Sequence, residues 1–253
     1  MKFKTFARFA RNGFQNRCFI ATFVPPHNHT FMHKQVEPSI LYFGTPVIIL
    51  STINEDGTIN IAPISSVFWL GWRAVIGIGT ASQTFLNLQR TGECVINLPS
   101  VHEVAMVNRL ALITGRNPVP LSKRAKGYRY EKNKLTVSGF TASASDTVSA
   151  YGLKECPVQM ETKVISENYL ANDDSLLAGR LATFELKILK VLVEENLLVS
   201  GATNKIDPDK WRPLIMSFQK FYGLGAQVHV SALAEIPEEL YAVKRPVTQV
   251  QEI

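Results

Sequence analysis

Cysteine is scarce in this sequence, and no apolar run is long enough to cross a membrane. The three cysteines, Cys18, Cys94 and Cys156, lie far apart and form no C-x-x-C pair. This spacing argues against a disulfide framework, and we interpret them as buried or incidental thiols of a protein in a reducing compartment. Because the apolar run at residues 18–24 is short, the sequence predicts neither a secretory signal nor a membrane span.

Acidic residues are missing from the first part of the chain. Residues 1–36 contain six Lys or Arg and no Asp or Glu, whereas the remaining chain contains 21 residues of each sign. The formal net charge of +6 therefore belongs to this extension. No basic stripe with interleaved aromatic residues follows it, so nucleic-acid binding is not predicted.

The basic extension has two interpretations. Residues 1–31 are rich in Phe, as in an amphipathic organelle-targeting segment, but Met32 is an alternative start of the chain. We therefore expect a cytoplasmic protein, or a mitochondrial one if the segment is a targeting signal. His27, His29 and His33 look like a metal cluster but lack partner ligands, so no metal site is predicted. The expected organisation is an extension at 1–36, a domain at 37–230 and a tail at 231–253.

Catalytic motifs built from side chains are also missing. The sequence contains no nucleophile elbow, no Ser/His/Asp order and no pair of carboxylates at a suggestive spacing. With 46% hydrophobic and 19% charged residues over 253 positions, it can nevertheless bury a sizeable core. Any chemistry must therefore come from a bound cofactor.

The stretch 46–98 has the strongest local pattern. The Asp56-Gly57 pair favours a tight hairpin between two apolar runs, so the strands around it are antiparallel. In the next strand, Gly77 and Gly79 leave one face bare, which allows a close approach to the backbone. We predict strands at 46–53, 58–72 and 73–80, with Pro63 interrupting the ladder of the second one at a bulge or an edge. A later strand alternates apolar residues on one face, at Ala182, Phe184, Leu186 and Ile188.

Residues 80–92 predict a short helix that ends at Gly92. Its N-cap is either Thr80, in a capping box with Gln83, or Ser82. The first turn of such a helix offers unpaired backbone N–H groups, a positive dipole end and hydroxyl groups, which together suit a phosphate. The alternative is an ordinary capped helix that binds nothing.

A Rossmann fold competes for the same segment, because GIGTAS at 77–82 is close to the dinucleotide-binding fingerprint. However, its third glycine is replaced by Ser82, and hairpin signals precede it in place of a crossover helix. The next strand ends at Asn97 to Ser100 without the required acid. The Rossmann interpretation is therefore the weaker one.

Taken in order, several segments resemble the flavin reductase-like FMN-binding proteins. The matching strings are GTPV, NEDGTINIAPIS, SQTFLN and GECVINL, a block at 139–164, the Ile-Asp pair at 206–207 and YGLG at 222–225. The resemblance covers about residues 38–225. It implies an α+β fold, the FMN-binding split β-barrel, which is an antiparallel Greek-key barrel with flanking helices.

The resemblance also implies where FMN binds. The segment after the second strand would line the isoalloxazine ring, and the turn entering the helix would hold the phosphate and ribityl chain. The implied cofactor-binding residues are Ala62, Pro63, Ile64, Ser65, Ser66, Thr80, Ala81, Ser82, Gln83, Thr84 and Asn87. Many relatives carry a Lys or Arg in this turn, and this chain has none there. Either the affinity is lower, or Arg90 or a more distant cation supplies the charge.

Residues 115–134 form a long polar, basic connection after a predicted helix at 100–114. One interpretation is a solvated insertion whose Lys and Arg residues keep it soluble. In the proteins that this chain resembles, the region can instead cover the cofactor of the neighbouring subunit. Tyr128 and Tyr130 are then candidate lid residues.

The function implied by the resemblance is hydride transfer from NAD(P)H to FMN in a homodimer, with backbone donors near Ser65 and Ser66 favouring reduced flavin. An oxygenase or another electron acceptor would be the partner, without a membrane or a nucleic acid. A flavin-binding electron carrier without its own NAD(P)H activity is the alternative. Many resembling reductases carry a His near the nicotinamide, where this chain has Asn196, which could equally be a turn residue.

Overall fold

The computed structural model describes residues 32–241. The chain divides into two compact units between Ser39 and Ile40. In the first unit, the described residues 32–39 are exposed and contain no helix or strand. His27, His29 and the predicted targeting segment lie outside the described residues.

The second unit is built mainly from β-strands. The strands are β1 (Phe43–Pro46), β2 (Ile48–Ile53), β3 (Ile59–Ile64), β4 (Val67–Leu70), β5 (Arg73–Gly79), β6 (Glu93–Leu98), β7 (Ile113–Thr114), β8 (Arg129–Tyr130), β9 (Ala142–Ser143), β10 (Gly152–Leu153), β11 (Val158–Tyr169), β12 (Leu181–Val193), β13 (Leu214–Ser217) and β14 (Lys220–Gly223). The helices are α1 (Gln83–Thr91), α2 (Val104–Arg109), α3 (Leu121–Arg124) and α4 (Lys134–Ser138). Short 3₁₀ turns cover Val101–Glu103, Glu195–Leu197, Ala232–Glu235 and Glu238–Tyr241.

The main sheet has seven strands in the order β3-β2-β6-β11-β12-β5-β4, and all of its pairings are antiparallel. Its two edge strands, β3 and β4, follow each other in the chain and are joined only by Ser65 and Ser66. Because two residues span less than about 10 Å, the sheet must curl until its edges approach. The result is the predicted antiparallel barrel, with an opening between β3 and β4.

Local signals explain the strands of this sheet. Gly57 has a φ of 79°, as a tight hairpin between β2 and β3 requires. Pro63 lies on edge strand β3, where a missing N–H costs least. The predicted alternation in β12 is confirmed, because all four of its predicted core residues are buried: Ala182, Phe184, Leu186 and Ile188.

Two hydrophobic cores stabilise the fold. One is enclosed by the barrel and includes Phe184, which makes an edge contact with Phe85 of α1 at 5.6 Å between ring centroids. The other lies between the outer face of the sheet and helices α2 and α4, and includes Ile49, Ile61 and Val107. The helix α1 therefore lies against the barrel core, and its N-terminus is held in a fixed position.

The predicted helix at 100–114 is only partly confirmed. The capping box forms, since Ser100 accepts from His102 N at 3.1 Å and Glu103 accepts from Ser100 N at 2.7 Å. The helix ends early, at Arg109, and Ile113 pairs with Arg129 in the parallel β7–β8 pair. This pairing competes with helix extension and draws the connection 115–134 back towards the barrel. Within residues 32–241, no helix is both long and apolar enough to cross a membrane.

Candidate functional site

A cavity of about 850 Å³ opens beside the gap between β3 and β4. Its size falls within the usual range for small-molecule sites, roughly 300–1,000 Å³. It is bordered by residues 62–66, residues 80–84, parts of the segment 110–134, and the end of the β11–β12 hairpin at 177–181. We call residues 62–66 and 80–84 the local wall, and we call Lys123, Lys126 and Lys134 the lysine wall.

The first half of the local wall contains five of the residues expected to bind the cofactor, Ala62, Pro63, Ile64, Ser65 and Ser66, and all five line the cavity. Ser66 O accepts from Gly77 N at 2.8 Å, and a Cβ on Gly77 would lie 3.1 Å from the Ser66 Cβ. The close approach expected at Gly77 is therefore made by Ser66 of the same chain. The Tyr42 hydroxyl lies 3.3 Å from Ser66 Oγ and also borders the cavity.

The second half of the local wall is the turn into α1, and its five predicted residues, Thr80, Ala81, Ser82, Gln83 and Thr84, all line the cavity. Ser82 is the N-cap, because its hydroxyl accepts from Phe85 N at 3.1 Å. The alternative cap at Thr80 is wrong, since the Thr80 hydroxyl donates to Gly179 O at 2.9 Å. Gly92 ends the helix with a φ of 65°, as predicted. The first amides of α1 have no intrahelical acceptor and are placed at the cavity.

Asn87 does not line the cavity. It is buried one turn further along α1, where its amide donates to Thr52 Oγ1 at 3.0 Å and to Asn54 Oδ1 at 2.9 Å. Its side-chain oxygen accepts from Gln83 Nε2 at 2.9 Å. Asn87 therefore supports the wall through Gln83 and ties α1 to strand β2.

Four cations border the cavity that local sequence did not identify as site residues: Lys123, Lys126, Lys134 and Arg180. Among residues 32–241, no Asp or Glu borders it with them. Arg90, the expected alternative source of charge, instead donates to Ile53 O and does not line the cavity. The only sequence signal for the lysine wall was the basic composition of the connection 115–134, which also fits a solvated loop.

Lys134 is the most buried cation at the site, with 4% of its surface exposed. Its Nζ donates to Asn60 Oδ1 at 2.9 Å and to Ile61 O at 3.0 Å. Burial, followed by repulsion from Lys123, lowers the pKa of Lys134 to about 7, although Glu131 acts in the opposite direction. A buried cation with neutral partners is a ready binding group for an anion.

Lys123 is the second shielded cation of this wall. Its Nζ lies 3.3 Å from Thr114 Oγ1 and 5.6 Å from the centre of the Tyr128 ring. Burial lowers the pKa of Lys123 as well. Tyr128, one of the two candidate lid residues, lines the cavity of its own chain, whereas Tyr130 does not.

Asn60 joins the two walls. Its Oδ1 accepts from Lys134, and its Nδ2 donates to Thr84 Oγ1 at 3.0 Å. Because the Thr84 oxygen already accepts this bond, its hydroxyl proton remains available to a ligand. The arrangement presents hydroxyl, amide and ammonium donors to one end of the cavity.

Other candidate residues lie away from this site. Asn196 is exposed and lies beyond the far end of β12, which runs for thirteen residues from Leu181 at the cavity. Within one chain it is therefore not near the predicted cofactor. Burial raises the pKa of Cys94 to about 12 and also raises that of Cys156, so neither is a reactive thiolate. Among the described residues, no three His, Cys, Asp or Glu side chains converge as metal ligands.

The geometry fits a planar ligand with an anionic tail. Residues 62–66 provide an uncharged surface, while the α1 N-terminus and the lysine wall provide donors and positive charge. When Lys134 is an ammonium, its third N–H has no acceptor among residues 32–241 and is available to a ligand. The fold places the chain in the split-barrel class.

Comparison with known proteins agrees with this class. Residues 40–224 match the model of the flavin reductase like domain, and the chain belongs to this family. It is 37% identical over 195 residues to the uncharacterized protein YdfE of Bacillus subtilis (strain 168), covering 77% of this chain and 91% of that protein.

Solved structures show the same fold at lower identity. Flavoredoxin of Desulfovibrio vulgaris (Miyazaki F) superposes with a TM-score of 0.65 at 20% identity, covering 80% of this chain and 99% of that chain. Component B of nitrilotriacetate monooxygenase from Bacillus cereus superposes with a TM-score of 0.61 at 18% identity, covering 76% and 89%. The predicted split barrel is therefore confirmed.

Proposed function

We propose that the protein binds FMN and transfers a hydride from NAD(P)H to it. The observation that carries this proposal is the composition of the cavity. A neutral strand-end wall at 62–66 faces the space beside it, and one end of the same space has the α1 N-terminus together with Lys123 and Lys134. Membership of the flavin reductase-like family supports flavin as the ligand and oxidoreduction as the type of chemistry.

Different residues of the site would bind different parts of the cofactor. Ala62 to Ser66 would lie along the isoalloxazine ring, with backbone amides near Ser65 and Ser66 donating to its polar edge. Thr80 to Thr84 would hold the ribityl chain and the phosphate, with Lys123 and Lys134 supplying the charge that the turn itself lacks. Asn87 would hold Gln83 in place. When bound, flavin supplies the capacity to accept and release two electrons.

A flavin-binding electron carrier is the second candidate function. It is favoured by the absence, among the described residues, of any carboxylate or His lining the cavity that could hydrogen-bond and position a nicotinamide. The likeness of the fold to a flavoredoxin is compatible with this alternative. In either case an oxygenase or another electron acceptor would receive the electrons, and the likeness to a monooxygenase component supports an oxygenase.

We also propose that the functional unit is a homodimer. On edge strand β4, Phe68 and Leu70 point to the same side and are 57% and 78% exposed. Near the cavity, the hairpin residues Leu177 and Leu181 are also exposed. Neighbouring exposed apolar side chains of this kind mark association surfaces, and a two-fold dimer is the commonest solution. Light scattering coupled to size exclusion should give twice the chain mass of 28.2 kDa.

The test of the redox function is a visible spectrum of the purified protein followed by rates of NADH and NADPH oxidation with and without added FMN. The proposal expects a flavin spectrum on loading and oxidation that depends on FMN. A bound flavin without pyridine-nucleotide oxidation would favour the electron carrier. Absence of flavin binding at any concentration would overturn both functions.

A further inference from the structure

The inference concerns Lys134, a buried side chain whose two hydrogen-bond acceptors are both uncharged. An ammonium group has three N–H donors, whereas a neutral amine has two. The Nζ of Lys134 has two acceptors, Asn60 Oδ1 at 2.9 Å and Ile61 O at 3.0 Å. Both N–H groups of the neutral amine therefore have acceptors, while the ammonium keeps one N–H without an acceptor among residues 32–241.

No carboxylate among residues 32–241 forms an ion pair with Lys134. Both of its hydrogen-bond acceptors are uncharged. A buried, uncompensated cation is costly, so the lysine tends to release its proton unless an anion arrives. The ammonium form thus needs a ligand to complete its surroundings.

The charged groups around Lys134 act in both directions. Lys123, which also lines the cavity, disfavours the ammonium form, and Glu131 on the adjoining segment favours it. Burial exceeds both effects, and the pKa of Lys134 falls to about 7. Lys126 also borders the cavity but is exposed to solvent. From the opposite side, the α1 N-terminus contributes positive potential.

We infer that Lys134 couples the binding of the phosphorylated flavin to the uptake of one proton. A proton passes from solvent to the Nζ of Lys134 as the phosphate enters, and the third N–H of the ammonium then donates to it. The affinity for FMN, unlike that for riboflavin, therefore falls as the pH rises. This inference rests on the proposed function, and it adds a regulation of the same site by pH.

The sign and size follow from linkage. Binding of an anion raises the pKa of Lys134, so FMN binds best below about pH 7 and loses affinity above it. If the lysine stays protonated in the complex, the Kd for FMN should rise roughly fifty-fold between about pH 7 and pH 9. The phosphate itself stays a dianion over this range, because its second pKa is about 6.

The experiment measures the Kd of FMN and of riboflavin by fluorescence titration between about pH 6.5 and pH 9. The comparison includes the full chain, Lys134→Met and Lys126→Met. Wild type should show a ratio of FMN to riboflavin affinity that falls with pH. Lys134→Met should have a lower ratio that is independent of pH, while Lys126→Met should keep the pH dependence because its lysine is exposed.

A calorimetric measurement counts the proton directly. Titration of wild type with FMN at about pH 8, in two buffers that differ in ionisation enthalpy, should show uptake of about 0.9 proton. Lys134→Met should show almost none. If wild type binds FMN without proton uptake, or if both proteins have the same pH profile, the inference is wrong although the proposed function stands. If wild type binds neither FMN nor riboflavin, the proposed function itself fails.

Discussion

The two walls of the cavity differ in how their polar groups are compensated. The local wall comes from residues 62–66 and 80–84, and its polar groups belong to a strand edge and a helix start. The lysine wall comes from residues 123–134, where the folded chain shields Lys123 and Lys134 from solvent and leaves Lys126 exposed. The local wall is stabilised as part of the barrel, whereas the lysine wall contains charged groups that are shielded from water.

The lysine wall is therefore the part of the cavity that both binds an anion and destabilises the ligand-free protein. The backbone groups of the capped helix end and of the strand edge are either hydrogen-bonded or face the cavity. The local wall therefore reduces the stability of the folded protein little. Lys134 instead is buried between uncharged acceptors, so its ammonium form destabilises the protein until an anionic ligand binds. Asn60 connects the two walls, and we expect changes near it to have the largest effects.

The largest effect is expected from Gly115→Ala, which forces the walls apart. An added Cβ would lie 2.6 Å from Asn60 Oδ1 and 3.4 Å from the Gln83 Cβ. Because Asn60 is buried, it can yield only by leaving Lys134. We expect a loss of about 1–3 kcal/mol in the free energy of unfolding and more than about tenfold in FMN affinity. Urea unfolding and fluorescence titration measure both.

Gly225→Ala is the matched control, since nothing lies within 4 Å of its added Cβ. It should leave stability and FMN affinity close to those of wild type. A Gly115→Ala protein that binds FMN normally would show that contact between the walls through Asn60 is not needed.

The second prediction separates the stability of the lysine wall from its binding. Lys134 has a pKa of about 7 in the folded protein, below the unfolded value of about 10.4, so protonation favours unfolding. The ligand-free protein should therefore gain stability as the pH rises, by about 2 kcal/mol between about pH 7 and pH 9. FMN affinity should fall over the same range. Urea unfolding across pH should show this gain in wild type and not in Lys134→Met.

The sequence predicted the features that depend on local signals, but it did not identify the lysine wall. The Asp56-Gly57 turn, the alternation in β12 and the stop at Gly92 are local signals, and all three were confirmed. The lysine wall was missed because its signal is tertiary: nothing in the sequence around Lys134 indicates that this side chain is buried against Asn60. The early end of the helix at 100–114 has the same origin, since β7 pairs with distant β8.

The third prediction tests the local wall on its own. Thr84→Val keeps the shape of the side chain but removes the hydroxyl that accepts from Asn60 and is available to a phosphate. Because a hydrogen bond to a charged group contributes about 1.5–3 kcal/mol, FMN affinity should fall at least about tenfold. Riboflavin should be affected less, and Thr84→Ser should retain most of the FMN affinity. Equal losses for both ligands would place the phosphate elsewhere.

The smallest effect on FMN affinity is expected from an exposed ion pair between the connection 115–134 and the β2–β3 hairpin. Lys132 Nζ lies 2.8 Å from Asp56 Oδ2, linking the connection to the β2–β3 hairpin, and both side chains are half exposed. The ion pair with Lys132, together with bonds from Thr58, holds the pKa of Asp56 well below its usual range. Exposed pairs are screened by water and salt, so they contribute little to stability or to a neighbouring site.

Lys132→Ala should therefore change FMN affinity by less than about twofold, and any shift in Tm should vanish in about 1 M salt. A loss of FMN affinity as large as that of Lys134→Met would mean that position in the connection, and not burial, makes a lysine part of the site.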